Sequence, residues 1–155
     1  MEAIWTSVVA VVGTLLGSVV THTFQRLASR RGELFTRSEA LRRERITVYS
    51  EFAAAVEDYR HGQAERWYRK QEEPEGEAFL ASRDAAHRLR TAARQALYRV
   101  RLLTDDREVV LAAEWAYQCT RDVSHAQTPA DRDTRDVQAR LAIEEFVSHA
   151  APLVR

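Results

Sequence analysis

Apolar and polar residues are distributed along this chain in two ways. Residues 3–24 contain no Asp, Glu, Lys or Arg, and a run of that length can cross a bilayer as a helix, which takes about 20 residues. Beyond it, apolar positions recur every three or four residues. Leu34, Leu41, Val48, Phe52, Val56, Tyr59, Gln63 and Trp67 trace one side of a helix that the spacing carries to about Gln71. Gly32 weakens that helix without breaking it. Pro74-Glu75-Gly76 is the clearest turn. A second helix is predicted over residues 77–103, with Phe79, Ala86, Leu89, Ala93, Leu97 and Val100 facing inward. Asp105 with Glu108 reads as a capping box opening a third helix, lined on its inner side by Val109, Ala113, Ala116, Tyr117 and Val123. Thr128 followed by Pro129 is a cap with proline at the first helical position. The fourth helix then carries Val137, Ile143, Phe146, Val147 and Ala150, and Pro152 ends it.

Strand signals are missing: there is no alternating β-branched run and no Asn-Gly hairpin. The predicted fold is all-α, an N-terminal transmembrane helix continuing into the long first helix of a cytoplasmic antiparallel four-helix bundle. Three segments follow: a transmembrane anchor over 1–25, an Arg-rich juxtamembrane helix over 26–45, and the bundle over 46–155.

The flanks of the apolar run set its direction. A cleaved signal peptide begins with a positive region and ends on a small-residue site, whereas here Glu2 precedes the run and Phe24-Gln25-Arg26 closes it. Arg26, Arg30, Arg31, Arg37, Arg42, Arg43 and Arg45 follow, against Glu33, Glu39 and Glu44. Lys and Arg beside a span stay in the cytoplasm. The N-terminus is therefore expected outside the cell membrane and the C-terminal domain inside. Arg26, Arg30, Arg31 and Arg37 would lie at the inner leaflet, where anionic lipid attracts them. The single cysteine, Cys119, suits a reducing compartment.

Turned at about 100° per residue, the span has one small-residue side. Thr6, Ser7, Ala10, Gly13, Thr14, Gly17 and Thr21 share it, and Val8, Val12, Leu15 and Val19 lie behind. Lipid gives helices no hydrophobic reason to associate, so close backbone approach and hydroxyl contacts must do it. Gly13-Thr14-Leu15-Leu16-Gly17 is a Gly-x-x-x-Gly pattern that permits such approach. The stripe predicts a homo-oligomer, or packing on a partner's helix. Two alternatives remain open: a ring enclosing a water-filled pore, and a lone anchor whose hydroxyls bond their own backbone.

Composition adds a partition of charge. The 23 basic and 23 acidic residues balance, but the basic excess sits beside the span and the remainder leans acidic. Arg83, Arg88, Arg90, Arg94, Arg99 and Arg101 concentrate on the second helix, where a solvated face is the plainer account. They are interleaved with acids elsewhere, so no nucleic acid partner is expected. Glu57 with His61, Asp84 with His87 and Glu145 with His149 have metal-ligand spacing but lie away from the apolar faces, so neither metal nor cofactor is expected. Cys119 lacks the setting of a nucleophile and reads as a structural thiol. No catalytic residue is assigned. Trp67-Tyr68 and Trp115 with Tyr117 are expected to cap the core rather than form a surface patch.

The Val-Val-Gly-Thr-Leu-Leu-Gly-Ser run at 11–18 and the Ala-Leu-Tyr-Arg-Val-Arg-Leu-Leu-Thr-Asp-Asp segment at 96–106 resemble those of uncharacterised small single-span, membrane-anchored helical proteins of high-GC actinobacteria. That resemblance implies an anchor and a helical domain and transfers no functional site. The expected function is a non-enzymatic, self-associating membrane module that presents its bundle to a cytoplasmic protein partner. The alternative is a small pore-forming or membrane-permeabilising protein.

Overall fold

The helix ends fall where the local chemistry puts them. The computed structural model describes the backbone of residues 2–155 and the side chains of residues 36–155. Four helices follow one another: α1 (Glu2–Glu72), α2 (Glu77–Leu103), α3 (Arg107–Asp122) and α4 (Pro129–Ala150). Short 3-10 turns, Val123–His125 and Ala151–Val154, continue α3 and α4. No strand occurs among the described residues, and the fold is all-α. Thr128 caps α4 by accepting from Asp131 N at 3.1 Å, with Pro129 just inside the helix. The cap of α3 differs from the expected capping box. Asp106, not Asp105, accepts from Glu108 N and Val109 N. Thr104 takes up the preceding chain by accepting from Asp106 N at 3.2 Å, which delays the helix by one residue.

The chain divides into two compact units, Met1–Leu41 and Arg42–Arg155. In the first, the side chains of Arg37 and Leu41 are exposed, so Leu41 is not a core residue as the stripe implied. Among the described residues no helix is long and apolar enough to cross a membrane. The side chains of the run at 3–24, its small-residue side and Arg26, Arg30 and Arg31 lie outside those described.

The second unit is an up-down-up-down bundle, and its cross-helix pairs give the directions. Glu51 of α1 pairs with Arg99 late in α2, while Gly62 faces Ala86 and Leu89 earlier in it. Arg101 meets Glu114 of α3 at 3.5 Å. Glu108, opening α3, meets His149 near the end of α4 at 3.6 Å. Helix α4 closes on α1, with Phe146 edge-on to Phe52 at 4.7 Å and to Tyr49 at 6.0 Å between ring centroids. The α1 stripe of Val48, Phe52, Val56, Tyr59, Gln63 and Trp67 is buried as its spacing predicts. Its two polar members tie the α3–α4 connection to α1. Gln63 Nε2 donates to Arg121 O at 2.9 Å and Ser124 Oγ at 3.0 Å, and Trp67 Nε1 donates to Ala126 O at 2.9 Å.

The inner face of α4 departs from expectation. Val137 and Val147 are about half exposed, and the buried seam is Ala139, Ala142, Ile143, Phe146 and Ala150. At about 100° per residue Val137 points nearly opposite that seam and Val147 flanks it. The alanines, small enough to admit close neighbours, hold the positions that bulk alone assigned to valine.

Candidate functional site

Helices α2 and α3 bury their alanines and leave larger side chains outside. Ala93, Leu97 and Val100 of α2 and Ala112, Ala113, Ala116 and Tyr117 of α3 are in the core. The next residues around each helix line a groove of ≈ 640 Å³, Tyr98 from α2 and Leu111 and Trp115 from α3. Tyr98 is 50% exposed, Leu111 51% and Trp115 50%, and Leu102, one turn beyond Tyr98, is 88% exposed. These four are large for a solvated surface, and contiguous exposed apolar groups mark interaction sites. Arg94, Arg101, Glu114 and Gln118 also line it, beside the core residues Leu97 and Tyr117. Apolar and charged side chains thus share the groove, as they do at protein interfaces.

Trp115 corrects the expectation that the aromatic residues cap the core. Trp67 and Tyr117 do so, at 3% and 6% exposure. Tyr68 and Trp115 do not. Trp115 sits about 120° around α3 from the seam of Val109, Ala113 and Ala116, so helical geometry carries it outward. Tyr68 is half exposed and covered by Arg132, whose guanidinium carbon lies 4.6 Å from its ring centroid.

The three carboxylate–histidine pairs lie at or near the surface. His61, Asp84, His87 and Glu145 are exposed, while Glu57 and His149 are partly covered. Glu57 belongs instead to an ion pair that spacing did not suggest. Arg60, 8% exposed, contacts Glu57 at 2.5 Å and reaches Asp136 of α4 at 2.5 Å. Its hydrogen bond holds the Glu57 carboxyl below its usual range against the opposing effect of burial. Cys119 is buried, and that burial, reinforced by Asp122, pushes its thiol pKa up. A thiol so placed stays protonated and unreactive.

The arginines of α2 separate by face. Arg94 and Arg101 border the groove, Arg99 pairs with Glu51, Arg88 is exposed, and Arg83 and Arg90 turn into a second depression. Arg83, His87, Arg90 and Arg94 stand at i, i+4, i+7 and i+11, a helical stripe readable from spacing. Their partners on α1 and α3 are not. Of the residues assigned to a membrane surface, only Arg37 falls within the described side chains, and it is exposed. The residues of the helix-association side all fall outside them.

The second unit is an antiparallel helical bundle with a half-exposed aromatic groove on α2 and α3. The family described as KilB plasmid transfer protein matches residues 46–154, and the chain belongs to that family. No curated protein and no solved structure matches the chain.

Proposed function

We propose that the chain is a non-enzymatic, membrane-anchored module of plasmid transfer that self-associates through its N-terminal helix and presents its cytoplasmic bundle to a protein partner. The observation that carries this reading is the groove of Tyr98, Leu111 and Trp115, left uncovered in a bundle of a plasmid transfer family. Its shape suits an amphipathic helix laid between α2 and α3, a common recognition mode. The apolar side of that helix rests on Trp115. Arg94 and Arg101, in the lining beside the single Glu114, favour acidic groups on its flanks. The uncharged run at 3–24 and the arginines after it support the anchor.

Trp115→Ala tests the groove. Removing a central interface tryptophan costs about 2 kcal/mol or more, on the order of 30-fold in affinity. Transfer of a plasmid that relies on this chain should fall steeply, while the circular dichroism spectrum and melting of the variant stay as in the wild type. Undiminished transfer by the folded variant would sink the groove as a docking site. Gly17→Ile tests self-association, because a branched side chain there blocks close backbone approach. Its native mass in a bilayer mimic should shift from a discrete oligomer toward monomer, with the bundle still folded. Oligomers that persist would remove Gly13 and Gly17 from the seam.

A further inference from the structure

Toward the other end of α2, the same helix borders a cleft of a different character. Its volume is ≈ 510 Å³, within the range of pockets that hold small molecules. Arg66 enters it from α1, Arg83, His87 and Arg90 from α2, Arg121 from α3 and His125 from the turn that follows. Three helices and a turn thus deliver cationic or protonatable groups to one concavity. Asp84 is the one carboxylate in the lining, and it lies 3.7 Å from Arg83. Arg121 is engaged by its neighbour Asp122 at 3.0 Å. Arg66 and Arg90 take part in no ion pair among the described residues.

The floor of the cleft is fixed. Tyr59 is 1% exposed, and the Gln63 amide is held by Arg121 O and Ser124 Oγ. Tyr59 shares the lining with Arg66, Arg90 and Arg121: burial and then Tyr117 push its pKa up to about 12, while Arg90, Arg121 and Arg66 oppose the rise. Tyr117 raises the Arg90 pKa, and the buried Tyr117 hydroxyl has no hydrogen-bond partner among the described residues. Like charges gathered in a concave, partly desolvated site repel one another and focus a positive field, and both effects favour an anion. Guanidinium forks match phosphate oxygens in pairs. Along α2, the seven-residue step from Arg83 to Arg90 covers about 10 Å, the scale of two or three linked phosphates.

We propose that this cleft binds a small polyphosphate anion, with Arg66 and Arg90 as its principal ligands and Arg83 and Arg121 at its flanks. The site is separate from the α2–α3 groove, and its occupancy does not depend on the docking role given to Trp115. A nucleotide and an inorganic polyphosphate share the chemistry that these residues recognise.

Calorimetry on the full chain in mild detergent tests the assignment, at about 150 mM salt so that diffuse surface attraction is screened. Inorganic tripolyphosphate should bind saturably, one per chain and in the micromolar range, with sulfate much weaker. The Arg66→Ala/Arg90→Ala variant should bind at least about tenfold more weakly, and Arg88→Ala, altered at an exposed position outside the lining, should bind as the wild type does. Should the double alanine variant fail to fold by circular dichroism, Arg66→Gln/Arg90→Gln keeps the stems and serves in its place. A nucleoside triphosphate that competes with tripolyphosphate and binds more tightly would assign the nucleotide as the source. No heat up to millimolar tripolyphosphate, or equal binding by the double variant, overturns the proposal. So does an oligonucleotide that displaces tripolyphosphate and binds more tightly, which would make the cleft part of a nucleic acid surface.

Discussion

Phe146→Ala is expected to lower the stability of the bundle by about 4 kcal/mol, near the middle of the range for a fully buried phenylalanine. The reason for a large loss is the company this ring keeps. Phe146 and Phe52 are both 0% exposed and packed edge-on, and Tyr49, one turn before Phe52, also meets Phe146 edge-on. Along α4 the other seam positions are Ala139, Ala142, Ile143 and Ala150, three of the four alanine. Alanines have no spare atoms to move into the void, so little of the cavity can collapse. A bundle of this size has roughly 5–15 kcal/mol in total, and the melting temperature should drop by roughly 15 °C or more. Phe146→Leu, which keeps much of the volume, should cost about 1.5 kcal/mol or less. Urea and thermal unfolding followed by circular dichroism measure both. Similar losses for the two variants would mean that the ring's volume is not what holds α4 to α1.

How far the sequence leads depends on which force writes each feature. Turn chemistry is local, and it located every connection: Pro74 to Gly76 between α1 and α2, and Thr128-Pro129 before α4. The one slip there, Asp105 for Asp106, came from two adjacent residues with the same capping ability, decided by where Thr104 places its hydroxyl. Core membership is less local. On α1 the large apolar residues carry the seam and spacing finds them. On α4 spacing finds Ile143, Phe146 and Ala150, but Ala139 and Ala142 complete the seam where bulk points to Val137 and Val147. Trp115 repeats the lesson on α3, where its turn around the helix, not its apolar character, decided its exposure. The cleft shows a further limit. Arg83 and Arg90 are a readable stripe, but Arg66 and Arg121 join them only because α1 and α3 pack across the same end of α2. Charges interleaved along the chain are thus sorted by folding, and a balanced composition concealed a basic concavity. The Arg60 pair was equally hidden, since Asp136 lies 76 residues away.

Arg60→Ala should destabilise the bundle by about 2 kcal/mol and alter its response to acid. Removing the cation leaves the Glu57 and Asp136 carboxylates near each other across α1 and α4 without a counter-charge. For a fully buried pair that costs about 3–5 kcal/mol. The smaller figure applies here because the Glu57 and Asp136 side chains keep 38% and 22% of their exposure, so water relieves part of the loss. The sign of the pH effect follows from Glu57. Its pKa is lower in the folded chain than in the unfolded one, chiefly through the Arg60 hydrogen bond. The resulting stabilisation is complete above the unfolded value, near pH 4.3, and is lost as pH falls through the folded one. The wild type should therefore weaken on acidification through that window, and Arg60→Ala should weaken less steeply because it has already lost the contribution. Arg60→Met keeps the aliphatic stem that packs between the helices and isolates the charge from the packing. A double-mutant cycle of Arg60→Ala with Asp136→Ala, read by urea unfolding near pH 7, should show a coupling on the order of 1 kcal/mol, and the cycle of Arg60→Ala with Glu57→Ala should show one that shrinks at pH 4. Simple additivity in both cycles would mean that Arg60 holds α1 and α4 together by packing alone.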